Sequence, residues 1–380
     1  MSSNIATSCA SCLPPELLDL IIDELQHDKS SLTSCSLVCK AWLPRSSEHL
    51  FGSSRISCLP SWSFLLDFRT LLSSSVRVST HIRHLKVNVM PESAEAVARL
   101  AEHLPSLDSL SLTGIGLFRD TSYFPRPALR STGRALQQLR AAWLPADLIA
   151  SFLALFATVY TLDVRFGERA ERDFRHQAHD VRHLVLKADS ELALLDVASL
   201  VDPQTLQSMV LDLGGTYYHQ VAAERVHQLL QLAGRHLKHF EYAQPIGGWA
   251  VPPDGLPALA ACSLLESITI TTPKVAPFSM RLWLETLVFL KSLPPQTQRV
   301  RLVTSCRGLA SGETAFRDFL RDLDWQTVAQ ALVHCRLLNR LEIAALDCFH
   351  HSISFGDQAQ AREAVLMNMP AWLRSVTSFV

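Results

Sequence analysis

A six-residue pattern, apolar-x-x-apolar-x-apolar, constrains this chain more than any other feature, because it recurs in order along most of its length. Copies stand at Ile82/Leu85/Val87, Leu107/Leu110/Leu112, Leu136/Leu139/Ala141, Val159/Leu162/Val164 and Val181/Leu184/Leu186. They continue at Leu206/Met209/Leu211, Leu237/Phe240/Tyr242, Leu265/Ile268/Ile270 and Leu338/Leu341/Ile343, with Val300/Leu302 as a partial copy. The middle residues, from 85 to 341, are separated by 25, 29, 23, 22, 25, 31, 28, 32 and 41 positions. Alternation within each copy is strand periodicity, which sends successive side chains to opposite faces. Between copies the apolar spacing turns helical, as over 94–103, 148–157, 221–232 and 325–335. Strand, helix, strand at this period implies right-handed crossovers between parallel strands. The expected product over 80–380 is an irregular α/β solenoid with a curved parallel sheet.

The period lies in or near the 20–29 residues of leucine-rich repeats, and the array resembles a degenerate one. It departs from that pattern at the strand end, where regular repeats carry Asn or Cys. Gly167, Asp189, Gly214, Pro245 and Ser305 stand there instead. The longer gaps hold insertions, 245–262 rich in Pro, Gly and Ala and 305–313 polar.

In such an array the x positions would form an open, hydroxyl-rich and mixed-charge sheet face suited to protein or peptide recognition. Asp163, Arg165, Lys187, Asp212 and Glu241 are the candidate target-binding residues, expected on neighbouring strands as one charged stripe. His183 and His239 would lie two strands apart, about 10 Å, too far to share a metal without a further ligand.

Composition narrows the function classes. With 35 basic and 36 acidic side chains the net charge is −1, which argues against nucleic-acid binding driven by electrostatics. Charged residues make up 19% of the chain, below the usual ~25%, so a large core or a partner-covered surface is expected. The longest uncharged run, Leu148–Leu162, is shorter than the roughly 18–20 residues a membrane span needs. Residues 1–12 lack a basic and then apolar leader pattern, and 1–11 are expected to be disordered. Nine scattered cysteines fit a reducing, cytoplasmic or nuclear compartment.

Motifs for chemistry are weak. Cys35 and Cys39 fall at helical spacing within the apolar series Leu32, Cys35, Val38, Cys39 and Trp42, which reads as one buried stripe. His176-x-x-His179 and His350-His351 lack an evident third ligand. Phosphate-loop, nucleophile-elbow and dinucleotide-binding glycine motifs are absent from the sequence. No catalytic, cofactor-binding or metal residue is assigned.

The N-terminal segment reads differently. Residues 13–25 place Leu17, Leu18, Ile21, Ile22 and Leu25 at helical spacing, with prolines suited to a first turn. A second helix, capped near Ser30 or Ser31, would carry the stripe to Trp42. Two or three short helices bury little surface unaided, so a partner or an attached domain is required.

The order Leu13-Pro14-x-Glu16-Leu17-Leu18-x-x-Ile21-Ile22, then Ser36-Leu37-Val38-Cys39-Lys40-Ala41-Trp42 and His49-Leu50-Phe51, resembles the F-box of fungal F-box-like proteins. The resemblance covers 12–55, with 56–79 as a connecting helix and a serine-rich linker. It implies docking onto a Skp-type adaptor, and through it onto a cullin–RING ubiquitin ligase. Leu13, Pro14, Glu16, Leu17 and Ile21 match the adaptor-facing opening. Leu37, Val38 and Trp42 match the second-helix core and its edge. The implied role is target recruitment without catalysis in this chain. Two other functions fit the same sequence: an enzyme on an irregular α/β domain, and a repeat scaffold whose N-terminal helices serve only as a cap.

Overall fold

A computed structural model describes residues 13–56, 62–74, 76–90, 93–114, 132–166, 178–188, 200–213, 220–244, 257–272, 280–305, 324–346, 363 and 366–379. The protein is α/β, built on one parallel sheet of twelve strands that follow each other in chain order. They are β1 (Ser53–Ile56), β2 (His84–Val89), β3 (Ser109–Gly114), β4 (Ala135–Ala142), β5 (Thr158–Phe166) and β6 (Val181–Ala188). The sheet continues with β7 (Ser208–Asp212), β8 (His239–Ala243), β9 (Ser267–Thr272), β10 (Arg299–Ser305), β11 (Arg340–Leu346) and β12 (Thr377–Phe379). Every crossover therefore advances the chain by one strand in the same direction.

The register turns the recurring pattern into continuous ladders. The middle residues line up one per strand, from Leu85 against Leu110 through Met209 against Phe240 to Val300 against Leu341. The third residues, Val87 to Ile343, form a parallel ladder two positions on. All are buried and share one core with helical residues such as Val97, Ile149, Leu230, Phe289 and Val328. A fully buried Leu contributes about 1.5–3 kcal/mol relative to exposure, so the repetition is itself the stabilising feature. The partial copy is complete in space. Thr297 fills its first position, fully buried, with a hydroxyl that has no hydrogen-bond partner among the described residues.

Helices at 94–102, 146–153, 220–233 and 325–332 match the helical spacing between the copies. The last is capped by Asp324, whose carboxylate accepts from the Gln326 and Thr327 amides. At the end of 94–102, Arg134 donates to the carbonyls of Glu102 and Leu104, satisfying orphan acceptors where the helix dipole favours a cation.

Three boundaries differ from expectation. The sheet begins at Ser53, inside the segment assigned to the N-terminal module, because β1 pairs with β2. The serine-rich linker contains a helix, Val76–His81, following another at Trp62–Ser74. The sheet also gains β12, which pairs with β11 at the far edge. Gly167, Asp189, Gly214 and Pro245, with most of the two insertions, lie outside the described residues.

Candidate functional site

Two surfaces carry the candidate residues. The first is a helical module of α1 (Pro15–Glu24), α2 (Lys29–Val38) and α3 (Leu43–Phe51). Pro14 stands at the α1 N-cap and Pro15 in the first turn, where a missing N–H costs no helical bond. Asp28, rather than a serine, caps α2: its carboxylate accepts from the Ser30 amide at 3.0 Å and the Ser31 amide at 3.2 Å. A bond from the Ser31 hydroxyl at 2.6 Å, with those from the two amides, holds the Asp28 carboxyl below its ordinary pKa.

The expected stripe to Trp42 is broken. Cys39 is extended, so α2 ends at Val38, and Trp42 leads into α3 with Pro44 in its first turn. Leu32 and Cys35 are buried, whereas Cys39 and Trp42 are half-buried. The indole N–H of Trp42 has no partner among the described residues.

A polar clasp joins α1 to α3. Arg45 donates to the Asp23 carboxylate from Nε at 2.6 Å and Nη2 at 2.8 Å, and from Nη1 to Glu48 at 2.7 Å. His49 Nε2 lies 2.6 Å from Asp23 Oδ1. Hydrogen bonds from Arg45 and His49 hold the Asp23 carboxyl down at about 2. Glu48 also pairs with Arg83 at 3.5 Å, and Gly52 O accepts from the amides of Arg83 and His84. The module is thus tied to the first edge of the sheet through α3.

That docking leaves large apolar side chains uncovered on α1 and α2. Leu18 and Ile22 point inward, but Leu17 is 47% exposed, Leu20 60%, Ile21 44%, Leu37 82% and Val38 57%. Leu13, Pro14 and Glu16 are exposed beside them. Leu37 and Val38 therefore are not core residues of the second helix, as the family pattern implies; the early end of α2 leaves both at the surface.

The second surface is the outward face of the sheet, where three registered rows run across β2–β11. One row passes from His84 through His183 and His239 to Arg299 and Arg340. The next holds Lys86, Arg140, Asp163, Val185, Val210, Glu241, Arg301 and Glu342, and the third holds Arg165, Lys187 and Asp212 on successive strands.

The expected single stripe is therefore two. Arg165, Lys187 and Asp212 are true neighbours. Asp163 and Glu241 sit one row away, with Val185 and Val210 between them, because two-residue steps along a strand move a side chain between rows. Asp163 faces Arg140 at 3.5 Å. His183 and His239 lie two strands apart, as their spacing implied, and burial with nearby His239 and Arg182 lowers the pKa of His183.

Trp143 was not singled out by the sequence. Directly after β4 it adopts φ 61°, which bulky residues rarely accept, and its amide donates to Arg165 O at 2.7 Å. Its exposed ring lies under the Arg165 guanidinium, 4.9 Å from the centroid. The pattern Ala-Trp-Leu-Pro carries no glycine or asparagine to mark such a turn.

Burial pushes the Cys262 thiol up to about 12 and the Cys335 thiol to about 11, so neither is a ready thiolate near neutral pH. Among the described residues no group of three or more His, Cys, Asp or Glu is placed to hold a metal ion. Among them, too, no helix is long and apolar enough to cross a membrane. No protein-family model matches the chain, and no curated protein is significantly similar to it.

Proposed function

We propose that this chain is the substrate-recognition subunit of a Skp–cullin–F-box type ubiquitin ligase, working in the cytoplasm or nucleus. Its F-box-like helices would dock a Skp-type adaptor, and the outward face of its leucine-rich-repeat-like sheet would hold the target protein. The observation that carries this reading is the set of large apolar side chains left exposed on α1 and α2, Leu17, Leu20, Ile21, Leu37 and Val38. Apolar surface concentrated on one small module asks for a partner. Leu13, Pro14, Glu16, Leu17, Ile21, Leu37 and Val38, which match the family motif, are all exposed, and Trp42 is half-buried.

In this role the chain is not an enzyme and needs no cofactor. It contributes placement: a target held beside the conjugating enzyme reacts at a raised effective concentration, with the transfer chemistry supplied by other subunits.

Replacing Leu17 and Ile21 together by Asp tests the reading. Both side chains are half-exposed in the free chain, so the fold should survive. Burying two carboxylates against an apolar partner is costly, and a Skp-type adaptor should no longer co-purify. Stoichiometric adaptor with the double variant would overturn the proposal.

A further inference from the structure

Charge is unevenly distributed over this molecule. The whole sequence is balanced, 35 Lys and Arg against 36 Asp and Glu. The three outward rows of β2–β11 instead carry seven Lys or Arg against the four carboxylates of Asp163, Asp212, Glu241 and Glu342. The excess is densest on β10 and β11. Arg299 stands directly opposite Arg340, and Arg301 opposite Glu342. Like charges facing each other across adjacent strands are destabilising.

Glu342 is the only acid in those rows on the two strands. It accepts from Arg340 Nε at 2.5 Å and lies 3.4 Å from Arg301 Nε. Arg299 is exposed and makes no ion pair among the described residues. On the other side, β9 sets Ser267 and Thr269 in register with Arg299 and Arg301, so hydroxyls border the guanidinium groups.

We infer that the outward face of β9–β11 docks an acidic polypeptide segment of a partner protein, its carboxylates or phosphates gripped by Arg299, Arg301 and Arg340. Each guanidinium offers paired N–H donors that match two oxygens of one anionic group. The Thr269 hydroxyl can donate to the same group, and the Ser267 hydroxyl, 2.8 Å from His239 Nδ1, can do so when the imidazole supplies the proton of that pair. An anion between Arg299 and Arg340 converts their mutual repulsion into two attractions. The four carboxylates that interrupt the rows disfavour a continuous polyphosphate backbone, which would have to pass over them. The inference rests on the receptor reading of the sheet and names the chemistry of its target.

The test uses the full chain, fluorescence anisotropy and four probes of equal length. These are a glutamate-rich peptide, a phosphoserine peptide of equal charge, a glutamine-rich control and a single-stranded oligonucleotide. One or both acidic peptides should bind, weakening as salt rises, and which of them binds identifies the anionic group. Arg299→Ala with Arg340→Ala should weaken that binding by about tenfold at low salt, whereas Arg99→Ala, on the helix at 94–102 and not on the outward face of the sheet, should not. Glu241→Gln, which removes a nearby anion, should strengthen it. Equal binding of the glutamine control, indifference to the double arginine variant, or preference for the oligonucleotide would each overturn the inference. Adaptor capture, measured on the same preparations, separates the outcomes. Lost peptide binding with adaptor retained sinks only this site, whereas adaptor absent from the wild-type chain sinks the ligase reading.

Discussion

Leucine has opposite fates in the helical module and in the sheet of this chain. Leu85, Leu110, Leu139, Leu162 and Leu184 are stacked strand upon strand with at most 1% of their surface exposed, whereas Leu17, Leu20 and Leu37 are about half-exposed or more. The difference is geometric. A repeat array buries each new apolar residue against the previous copy, so its core grows with every strand. Three helices of about ten residues each bury two residues on α1, two on α2 and one on α3, so they build little core of their own. Apolar content alone therefore says little; what matters is whether the architecture supplies a second surface.

The largest effect should come from testing that contrast directly. Leu162→Ala, in the middle of the buried ladder, should cost about 2–5 kcal/mol. Leu37→Ala, the same substitution at an exposed site, should stay within about ±0.5 kcal/mol. Urea titration of the two variants measures both. Comparable losses would mean that α2 packs against something within the chain.

The contrast should also govern solution behaviour. With these apolar side chains of α1 and α2 uncovered, the chain expressed alone should self-associate, and co-expression with a Skp-type adaptor should give a monodisperse complex. Changing Leu17, Leu20, Ile21 and Leu37 to Gln should make the lone chain monodisperse without lowering its denaturation midpoint. Light scattering reads the outcome. Persistent association would shift the responsibility to the sheet.

A smaller effect concerns what holds the helical module together. The Asp23 carboxyl is held at about 2, below its ordinary 3.8, by Arg45 and His49. A depressed carboxyl stabilises the folded form above the unfolded value, and that contribution is lost as pH falls through the folded one. The clasp should thus be intact at pH 4 and above and should fail between about 3.8 and 2. Pepsin, active throughout this window, should cut within 24–42 increasingly as pH drops. Asp23→Asn should raise the cutting at pH 4 and flatten its pH dependence.

The strands β2–β11 were legible in the sequence, because each copy of the pattern encodes both the strand and which of its side chains turn inward. The N-terminal helices were legible in outline but not in exposure. Leu17 and Leu18 are the same residue type at adjacent positions, and only the packing of the folded module decides that Leu18 is buried and Leu17 is not. The end of α2 was hidden because Trp42 continues the apolar spacing past a chain break in helicity at Cys39. The helix at Val76–His81 was obscured by serines and by β-branched residues, weak helix formers that tertiary packing overrides. β12 has a single bulky residue, Phe379, and its strand character comes from pairing with β11.

The finest test of the contrast asks whether the sheet face can lose side chains as freely as its interior cannot. Arg165 and Lys187 are exposed neighbours in register on β5 and β6. Neither contributes to the core, so replacing both by Ala should change stability by about 0.5 kcal/mol each or less. Arg165 sits at the upper end of that range, since it also covers the Trp143 ring at 4.9 Å, and exposed cation–π contacts are worth about 0.5–1 kcal/mol. Adaptor capture should be untouched, because the helical module lies at the β1 edge, several strands away from β5 and β6. Under the receptor reading, the double variant should keep fold and adaptor yet lose at least one neighbour in proximity labelling. An unchanged set of neighbours would exclude this midsection from recognition and leave the arginines of β10 and β11 as the contact. A collapse of stability would mean instead that Arg165 and Trp143 together fix the turn that follows β4.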